Sequence, residues 1–180
     1  MSPKIIVLDR DGVINEDSDQ FIKSADEWQP VAGSLEAIAK LKQAGWIVAV
    51  ATNQSGIKRG YYDRATLSQM HAKMQSLLAN LGAKVDWVSF SPYLSDCGSV
   101  CRKPLTGMLQ TIANRFDVDL TDAPMVGDSL GDIQSAQAMG MQPILVRSGK
   151  GERTLATGDN CLQNIPVYAN LSEFVEEWLN

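Results

Sequence analysis

Short apolar segments alternate along this chain with longer segments that have the periodicity of helices. The first apolar segment, Lys4–Leu8, stops abruptly at charged residues, as is typical of a strand that is buried on both faces of a sheet. Further segments of this kind are Trp46–Ala51, Val85–Phe90, Pro124–Val126 and Pro143–Val146. Such alternation predicts parallel strands joined by right-handed crossovers. We therefore expect an α/β fold, a Rossmann-like parallel sheet with helices on both faces.

The predicted helices lie between these strands. Ser34 is expected to cap a helix that ends near Ala44, and Leu171–Leu179 to form the last helix. The longest predicted helix, Arg64–Leu81, carries six apolar residues on one face: Leu67, Met70, Met74, Leu77, Leu78 and Leu81. Two more helices are expected at Thr106–Phe116 and Leu130–Met139. With 180 residues, 44% of them hydrophobic, and no linker or repeat, the chain is expected to form a single domain over residues 1–180.

The charge balance excludes several classes of partner. The formal net charge of −5 gives no long-range attraction toward nucleic acid or anionic membranes. No apolar stretch reaches the roughly 18 residues that span a bilayer, and Met1–Asp11 has none of the features of a secretion signal. Cys97, Cys101 and Cys161 are an odd number of cysteines, which predicts free thiols. We expect a cytoplasmic protein, without a nucleic-acid or membrane partner, that acts as a monomer.

The single histidine of the chain, His71, lies in the middle of the longest predicted helix. A lone helical histidine leaves little room for Ser-His or Cys-His nucleophiles or for a metal site of several histidines. The chemistry of this chain is therefore expected to depend on carboxylates.

Polar residues gather where the predicted strands end. These groups are Asp9-Arg10-Asp11-Gly12, Thr52 to Gly56, Arg102-Lys103-Pro104, and Gly127-Asp128-Ser129 followed by Asp132. The carboxyl ends of parallel strands meet at one edge of a sheet, where ligands bind. Clustered carboxylates repel one another, and Mg²⁺ relieves that repulsion. Thr52 and Lys103 supply a donor and a cation suited to a phosphoryl group.

These groups resemble the four ordered motifs of the haloacid dehalogenase superfamily. The residues that carry the resemblance are Asp9-x-Asp11-Gly12, Thr52, Lys103 and Gly127-Asp128-x-x-x-Asp132, and it extends over about residues 5 to 146. A single motif of this kind has a bland alternative: Asp-x-Asp-Gly also suits a turn or a calcium loop, and Thr52 a plain strand. Four motifs in order, each at a strand end, favour the superfamily.

The resemblance implies a role for each residue. Asp9 would attack phosphorus and form an aspartyl-phosphate, while Asp11 would protonate the leaving oxygen and later activate water. Thr52 would hold a phosphoryl oxygen, and Lys103 would neutralise charge in the transition state. Mg²⁺ would be held by the Asp9 carboxylate, the Asp11 carbonyl and Asp128. Asp132 would support these groups from behind, or simply favour the start of its helix.

Within the superfamily, the motifs resemble the D-glycero-D-manno-heptose-1,7-bisphosphate 7-phosphatase family. The segments that carry this likeness are Leu8 to Gly12, Thr52 to Gly60 and Arg102-Lys103-Pro104. It implies a small sugar bisphosphate as substrate, a role in making lipopolysaccharide core precursors, and no cap domain. It also implies sugar contacts from Asp17, Ser18, Asp19, Gln20, Asn53, Gln54, Ser55 and Ser129. For the phosphate that is not cleaved we favour Arg102; the other candidates are Lys58, Arg59, Arg147 and Lys150.

One departure from that family concerns zinc. The family often holds zinc on the loop after the third strand, at positions that here read Ser91, Tyr93, Ser99 and Cys101. Because a structural zinc site needs four ligands and only one remains, we expect no zinc.

Two alternative functions stay open. Histidinol-phosphate phosphatases are similar in these motifs, although Gly56 to Gly60 and Arg102 favour the sugar bisphosphate. A phosphoacceptor signalling domain also combines a parallel sheet, clustered aspartates, Mg²⁺, threonine and lysine. A general acid/base such as Asp11 beside the acceptor promotes rapid loss of the phosphate, which argues against a signalling role.

Overall fold

The structure is a computed structural model that describes residues 3–180. Residues 1 and 2, which the predicted domain and N-terminal segment also include, lie outside the described residues. The strands are β1 (Ile5–Leu8), β2 (Ile47–Asn53), β3 (Trp87–Ser91), β4 (Pro124–Gly127), β5 (Gln142–Val146) and β6 (Val167–Tyr168). The helices are α1 (Ser34–Gln43), α2 (Arg64–Ala79), α3 (Gly107–Phe116), α4 (Leu130–Ala138), α5 (Gly151–Ala156) and α6 (Leu171–Leu179), with a 3-10 turn at Asn160–Leu162.

All six strands belong to one parallel sheet with the order β3-β2-β1-β4-β5-β6. From β1 the chain first proceeds outward through β2 and β3, and then returns to place β4 on the other side of β1. Neighbouring parallel strands whose connections run in opposite directions leave a crevice at their carboxyl ends, where α/β proteins bind ligands. The predicted α/β fold is confirmed, and the β1–β4 boundary is where a site is expected.

Two apolar layers cover the two faces of the sheet. Alternate residues of a strand point to opposite faces: Ile6 and Leu8 belong to the cluster that includes α1, α2 and α6, whereas Ile5 and Val7 belong to the cluster that includes α3. Every residue of β1 is buried. Burial on both faces explains why the strand reads as a continuous apolar run.

The ends of two predicted helices differ from the structure. The long helix α2 stops at Ala79, and Leu81, predicted on its apolar face, lies beyond the end with 39% of its surface exposed. Gly82 adopts a positive φ, which terminates the helix. Ser34 was expected to cap α1, but Gly33 takes that position and the Ser34 hydroxyl donates to the Ile14 carbonyl at 2.6 Å.

Strand β2 extends two residues further than its apolar pattern predicts. Thr52 and Asn53 were assigned to a polar turn, but they pair with Phe90 and Ser91 of β3. Polar side chains at the end of a buried strand interrupt the hydrophobic pattern without interrupting the backbone pairing. The extension holds Thr52 and Asn53 rigidly at the sheet edge.

Two elements were not predicted. Helix α5 has six residues and strand β6 has two, and both are too short to display a periodicity. The connections at residues 9–33 and 92–106 contain no helix or strand, which agrees with the predicted absence of a cap domain in the described part of the chain. None of the helices that the structure describes is long and apolar enough to cross a membrane.

Candidate active site

Asp9 follows the last residue of β1 at the centre of the sheet edge. Its N–H donates to the Val126 carbonyl at 2.9 Å, which continues the pairing of β1 with β4, and its Oδ1 accepts from the Arg10 N–H at 2.8 Å. Burial raises the pKa of Asp9 well above its ordinary value, and the charges of Asp132 and Asp128 raise it further, against the opposing charge of Lys103. The site therefore disfavours an unpaired negative charge on Asp9.

Lys103 supplies the opposing charge. Its buried ammonium lies 3.0 Å from Oδ1 of Asp9 and donates to Oδ1 of Asp132 and to the Ala51 carbonyl, both at 2.6 Å. Burial alone would lower the pKa of Lys103, but the two carboxylates raise it above its ordinary value. The lysine remains protonated. Asn53 fixes its backbone by exchanging two hydrogen bonds with the Lys103 N–H and carbonyl, at 3.1 and 3.0 Å.

Asp128 enters the same site from the end of β4. Its Oδ2 accepts from the Lys150 N–H at 2.7 Å, and burial together with the charge of Asp132 raises its pKa to about 7. Two glycines pack against this oxygen: a Cβ on Gly12 would lie 2.0 Å from it and a Cβ on Gly149 2.3 Å. Only residues without a side chain fit on either side of the carboxylate.

Asp132 lies behind these groups rather than among them. Besides its bond to Lys103, its Oδ2 accepts from the backbone N–H of Asp128 and of Ser129, at 3.1 and 3.0 Å, and from the Ser129 hydroxyl at 2.8 Å. Ser129 and Asp132 thereby form a capping box at the start of α4. A carboxylate with both oxygens engaged suits the predicted supporting role, since it positions Lys103 and the backbone of Asp128.

The donor set fits a small divalent cation. Oxygen atoms of Asp9, Asp128 and Asp132 lie within 4.8 Å of one another, and two of these carboxyls have raised pKa values. Carboxylates that destabilise one another's charge favour a hard cation with oxygen ligands, such as Mg²⁺. Because Asp132 is committed to Lys103 and to the helix start, we assign the direct ligands to Asp9, Asp128 and, as the sequence predicts, the Asp11 carbonyl.

Asp11 has a different environment, although only Arg10 separates it from Asp9. Its Oδ1 accepts from Arg10 Nε and Nη2 at 3.1 and 2.7 Å and from Asn15 Nδ2 at 2.8 Å, and its Oδ2 accepts from Gln54 Nε2 at 2.8 Å. Burial raises the pKa of Asp11, but the Arg10 charge and these hydrogen bonds outweigh burial and lower it below its ordinary value. The two aspartates of the first motif are thus held in opposite electrostatic states.

Thr52 and Gln54 connect Asp11 to the end of β2. The Gln54 Nε2 that reaches Asp11 also donates to Thr52 Oγ1 at 2.9 Å, and Gln54 Oε1 accepts from the Tyr62 hydroxyl at 2.5 Å. Thr52 and Gln54 are both buried. Gln54 was predicted to contact a sugar, and the structure shows in addition that it joins two predicted catalytic residues.

These groups line a cleft of about 280 Å³. Of the residues predicted to contact the sugar, the cleft is lined by Asp17, Ser18, Asp19, Asn53, Gln54, Ser55 and Ser129. Gln20 is not brought into it: the residue is exposed, and its N–H donates to the Ser18 hydroxyl at 3.1 Å. A strained turn at Phe21, whose φ is +65°, directs the Phe21 side chain toward the cleft instead.

Arg102 lies at the rim of the cleft, next to Lys103. Its Nη1 donates to the Tyr93 carbonyl at 3.2 Å, and burial together with the nearby charge of Arg59 lowers its pKa. Two guanidinium groups close enough to repel each other favour an anion between them. Arg147, another candidate for binding a second phosphate, pairs with Glu152 at 3.1 Å and does not line this cleft.

One part of the site was missed by the sequence motifs. Ser148, Gly149 and Lys150 follow β5, and the Ser148 hydroxyl donates to the Gly12 carbonyl at 2.7 Å. The Lys150 ammonium pairs with Asp17 at 3.2 Å, and the next turn pairs Arg153 with Asp19 at 2.7 Å. This segment ties the loop that follows β1 to the loop that follows β5. The rule that ligands bind at strand ends would have indicated it, since Ser-Gly-Lys directly follows an apolar strand.

The loop between β3 and α3 holds the residues discussed for zinc. Ser91 is buried at the end of β3, and Cys97 and Cys101 are free, with Cys97 exposed. The absence of zinc stays a prediction.

Comparison with known proteins adds a family to this geometry. Residues 100–174 match the family model described as HAD-hydrolase-like. The chain is 55% identical over 155 residues to the D-glycero-beta-D-manno-heptose-1,7-bisphosphate 7-phosphatase of Pseudomonas aeruginosa, covering 86% of this chain and 87% of that protein. It is 46% identical over 172 residues to the protein of the same name from Neisseria meningitidis serogroup A, covering 95% and 92%.

Solved structures give the same result. The D,D-heptose 1,7-bisphosphate phosphatase of Bordetella bronchiseptica, determined with magnesium and phosphate, superposes with a TM-score of 0.94 at 50% identity over 98% of both chains. The corresponding enzyme of Burkholderia thailandensis superposes with a TM-score of 0.77 at 43% identity, over 98% of this chain and 99% of that one.

Proposed function

Because the chain belongs to the family of D-glycero-beta-D-manno-heptose-1,7-bisphosphate 7-phosphatases, we propose that it is a Mg²⁺-dependent phosphatase that hydrolyses the 7-phosphate of D-glycero-D-manno-heptose 1,7-bisphosphate. One structural observation carries the proposal. Asp9 and Asp11 open onto a single cleft with Lys103 and Asp128, so that a nucleophile, an acid/base, a cation and a metal-binding carboxylate meet at one point. Such a product would serve lipopolysaccharide core precursor synthesis.

The first half of the reaction transfers the phosphoryl group to Asp9. A carboxylate oxygen of Asp9 forms a bond to phosphorus while the bond from phosphorus to the sugar oxygen breaks, and Asp11 gives a proton to that departing oxygen. A bound phosphate raises the pKa of Asp11 by its negative charge, which lets this carboxyl carry the proton. Lys103 stabilises the negative charge that accumulates on the phosphoryl oxygens.

The second half restores the free carboxylate. A water molecule attacks phosphorus and loses a proton to Asp11 as the bond between phosphorus and Asp9 breaks, which releases inorganic phosphate. Thr52, at the end of β2, is proposed to hold a phosphoryl oxygen through its hydroxyl hydrogen, since its Oγ1 already accepts from Gln54. Mg²⁺, held by Asp9, Asp128 and the Asp11 carbonyl, would screen the repulsion between the anionic nucleophile and the phosphate.

The phosphate at the other end of the substrate is proposed to bind Arg102. Arg102 lines the cleft beside Lys103, and a guanidinium can hold a phosphate through two parallel hydrogen bonds. The sugar between the phosphates is proposed to contact Asp17, Ser18, Asp19, Asn53, Ser55 and Ser129. Because the residues of the cleft come from one chain, a monomer suffices for activity, and we place the enzyme in the cytoplasm, where nucleic acid and membrane are not its partners.

The proposal is tested by phosphate release in the presence of Mg²⁺. The substrates to compare are both anomers of the heptose 1,7-bisphosphate, histidinol phosphate and p-nitrophenyl phosphate, by kcat/KM. A preference of about 10²-fold or more for one heptose bisphosphate supports the proposal, in line with the discrimination a substrate-binding site built on polar contacts achieves. Preference for histidinol phosphate would keep the chemistry and replace the substrate. An Asp9→Asn variant with near-normal turnover would contradict the covalent mechanism.

A further inference from the structure

We propose that Tyr62 and His71 are positioning residues for the acid/base: each fixes one oxygen of Asp11 through an intermediate side chain, Gln54 for Oδ2 and Arg10 for Oδ1. Neither Tyr62 nor His71 has a role in the motifs of the superfamily described above. The inference rests on the proposed function, because it assigns these residues an effect on proton transfer in that reaction.

The first connection runs from Tyr62 to Asp11. The Tyr62 hydroxyl lies 2.5 Å from Gln54 Oε1, and Gln54 Nε2 lies 2.8 Å from Asp11 Oδ2. A carboxylate can only accept, so the amide nitrogen of Gln54 must face Asp11, and the amide oxygen must then face Tyr62. Burial raises the pKa of Tyr62 to about 12, which keeps the hydroxyl proton available for donation. Removing this hydroxyl leaves the Gln54 amide without the partner that sets its orientation.

The second connection runs from helix α2 to Asp11. Arg10 is fully buried, and its Nη1 lies 3.2 Å from His71 Nε2 while its Nε and Nη2 reach Asp11 Oδ1. A guanidinium only donates, so His71 Nε2 must accept, which makes the imidazole neutral with its proton on Nδ1. Burial and the Arg10 charge lower the pKa of His71 to about 4, in agreement with that state. Met70 packs its sulfur 3.7 Å from the same Nη1.

The two connections together define the plane of the Asp11 carboxylate. A carboxylate anchored at one oxygen can still rotate about its Cβ–Cγ bond, whereas one anchored at both oxygens from different elements cannot. Proton transfer requires a donor and acceptor within hydrogen-bond reach and well aligned. Loss of either outer residue is therefore expected to slow proton transfer while it leaves the metal site and the phosphate contacts in place.

The leaving group distinguishes this effect from general damage. An alkyl phosphate, such as the 7-phosphate of the sugar, has a leaving oxygen that must be protonated as it departs. A p-nitrophenyl phosphate has a stable leaving anion and depends much less on an acid. A positioning defect at Asp11 should thus appear mainly with the alkyl phosphate.

The test compares Tyr62→Phe with Tyr61→Phe. Both variants remove one hydroxyl and keep the ring; Tyr61 is half exposed and packs its ring on Phe21 at 5.1 Å between centroids. We expect Tyr62→Phe to lower kcat for the heptose bisphosphate about tenfold or more with little change in KM, a part of the 10²- to 10⁴-fold that acid/base catalysis contributes. The loss of phosphorylation rate with p-nitrophenyl phosphate should be several-fold smaller, and a burst of p-nitrophenol should appear because hydrolysis of the aspartyl-phosphate still needs Asp11 as base. Tyr61→Phe should behave as the wild type.

His71→Leu tests the second connection and guards against misfolding of the first variant. It should give the same selective loss with the alkyl phosphate, and thermal unfolding of each variant checks that the fold persists. Equal losses of the phosphorylation rate with both substrates, a change confined to KM, or unchanged kcat in both variants would overturn the inference while the wild-type activity still supports the proposed function. A wild-type protein inactive on every phosphate tested would contradict the proposed function itself.

Discussion

The ammonium of Lys103 lies 3.0 Å from Oδ1 of Asp9, and both side chains are buried at the edge of the sheet. The same ammonium holds Asp132, so one cation balances two carboxylates from β1 and α4. Buried charges in this arrangement are mutually dependent, because removal of one leaves the others without compensation.

Substitution of Lys103 by Met is expected to remove activity and weaken the fold. The loss of a preorganised positive charge at the phosphoryl site should lower kcat by about 10²-fold or more. The unpaired carboxylates should lower the free energy of unfolding by roughly 3 kcal/mol. Steady-state kinetics and urea unfolding measure the two effects. Lys84→Met is the control, since Lys84 is largely exposed; equal effects in both variants would contradict the assigned role.

A methyl group on Gly12 is expected to damage the metal site. Gly12 and Gly45 have nearly the same positive φ, +85° and +82°, but a Cβ on Gly12 would lie 2.0 Å from Asp128 Oδ2 whereas a Cβ on Gly45 meets nothing within 4 Å. Gly45→Ala should therefore show the backbone strain alone, about 1 kcal/mol of stability, and keep its activity. Gly12→Ala should also need a much higher Mg²⁺ concentration for half-maximal activity. If the two variants have the same Mg²⁺ dependence, Asp128 is not held as the structure indicates.

The stability of the metal-free protein is expected to fall as the pH rises. Burial raises the pKa of Asp128 to about 7 from an ordinary 3.8, so the folded state disfavours its ionised form. That stability is fully present below about pH 4 and is lost as the pH rises through about 7; the raised pKa of Asp9 acts in the same direction. Thermal unfolding in EDTA should show this decline between pH 5 and 8, and Asp128→Asn should flatten it. Added Mg²⁺ should raise Tm more at pH 8 than at pH 6.

Substitution of Arg102 by Met is expected to reduce the preference for a bisphosphate. The variant should raise KM for the heptose 1,7-bisphosphate by about tenfold or more, since a charged hydrogen bond contributes about 1.5 kcal/mol or more, and should leave p-nitrophenyl phosphate nearly unaffected. Arg147→Met is the control, because Arg147 pairs with Glu152 outside the cleft. A similar rise in KM for both substrates would show that Arg102 acts on the cleaved phosphate instead.

The purified protein is expected to contain no stoichiometric zinc. Of the four positions that would supply ligands on the loop after β3, only Cys101 carries a suitable side chain. Elemental analysis of protein purified without chelator measures the metal content. One zinc per chain that is lost in Cys101→Ser would show that this loop uses other ligands.

The sequence predicted the sheet and the positions of the catalytic groups because both follow from strong local signals. A strand buried on two faces reads as an apolar run, and the polar residues that interrupt it mark the ligand-binding edge. The same reasoning placed Asp9, Lys103 and Asp128 at one edge, and the structure brings them into one cleft.

What the sequence did not predict depends on contacts between distant segments. Arg10 is an ordinary charged residue until α2 brings His71 to its guanidinium. Gln54 reads as a loop residue until Tyr62 and Asp11 turn its amide between them. Gln20, predicted in the site, faces away because the left-handed turn at Phe21 follows it, and backbone strain of that kind has no signature in composition.

The position of β1 between β2 and β4 has a consequence for how the protein is synthesised. A ribosome releases Asp9, Asp11 and Thr52 early, but Lys103, Asp128 and Asp132 much later, and β4 must pair with β1 before these groups can meet. Until then one edge of β1 is unpaired, and such an edge can pair with other chains. The nascent chain thus carries its nucleophile from the start but lacks the cation and the metal ligand that make it useful. Catalytic competence arises in one late step, when the central strand receives its second neighbour.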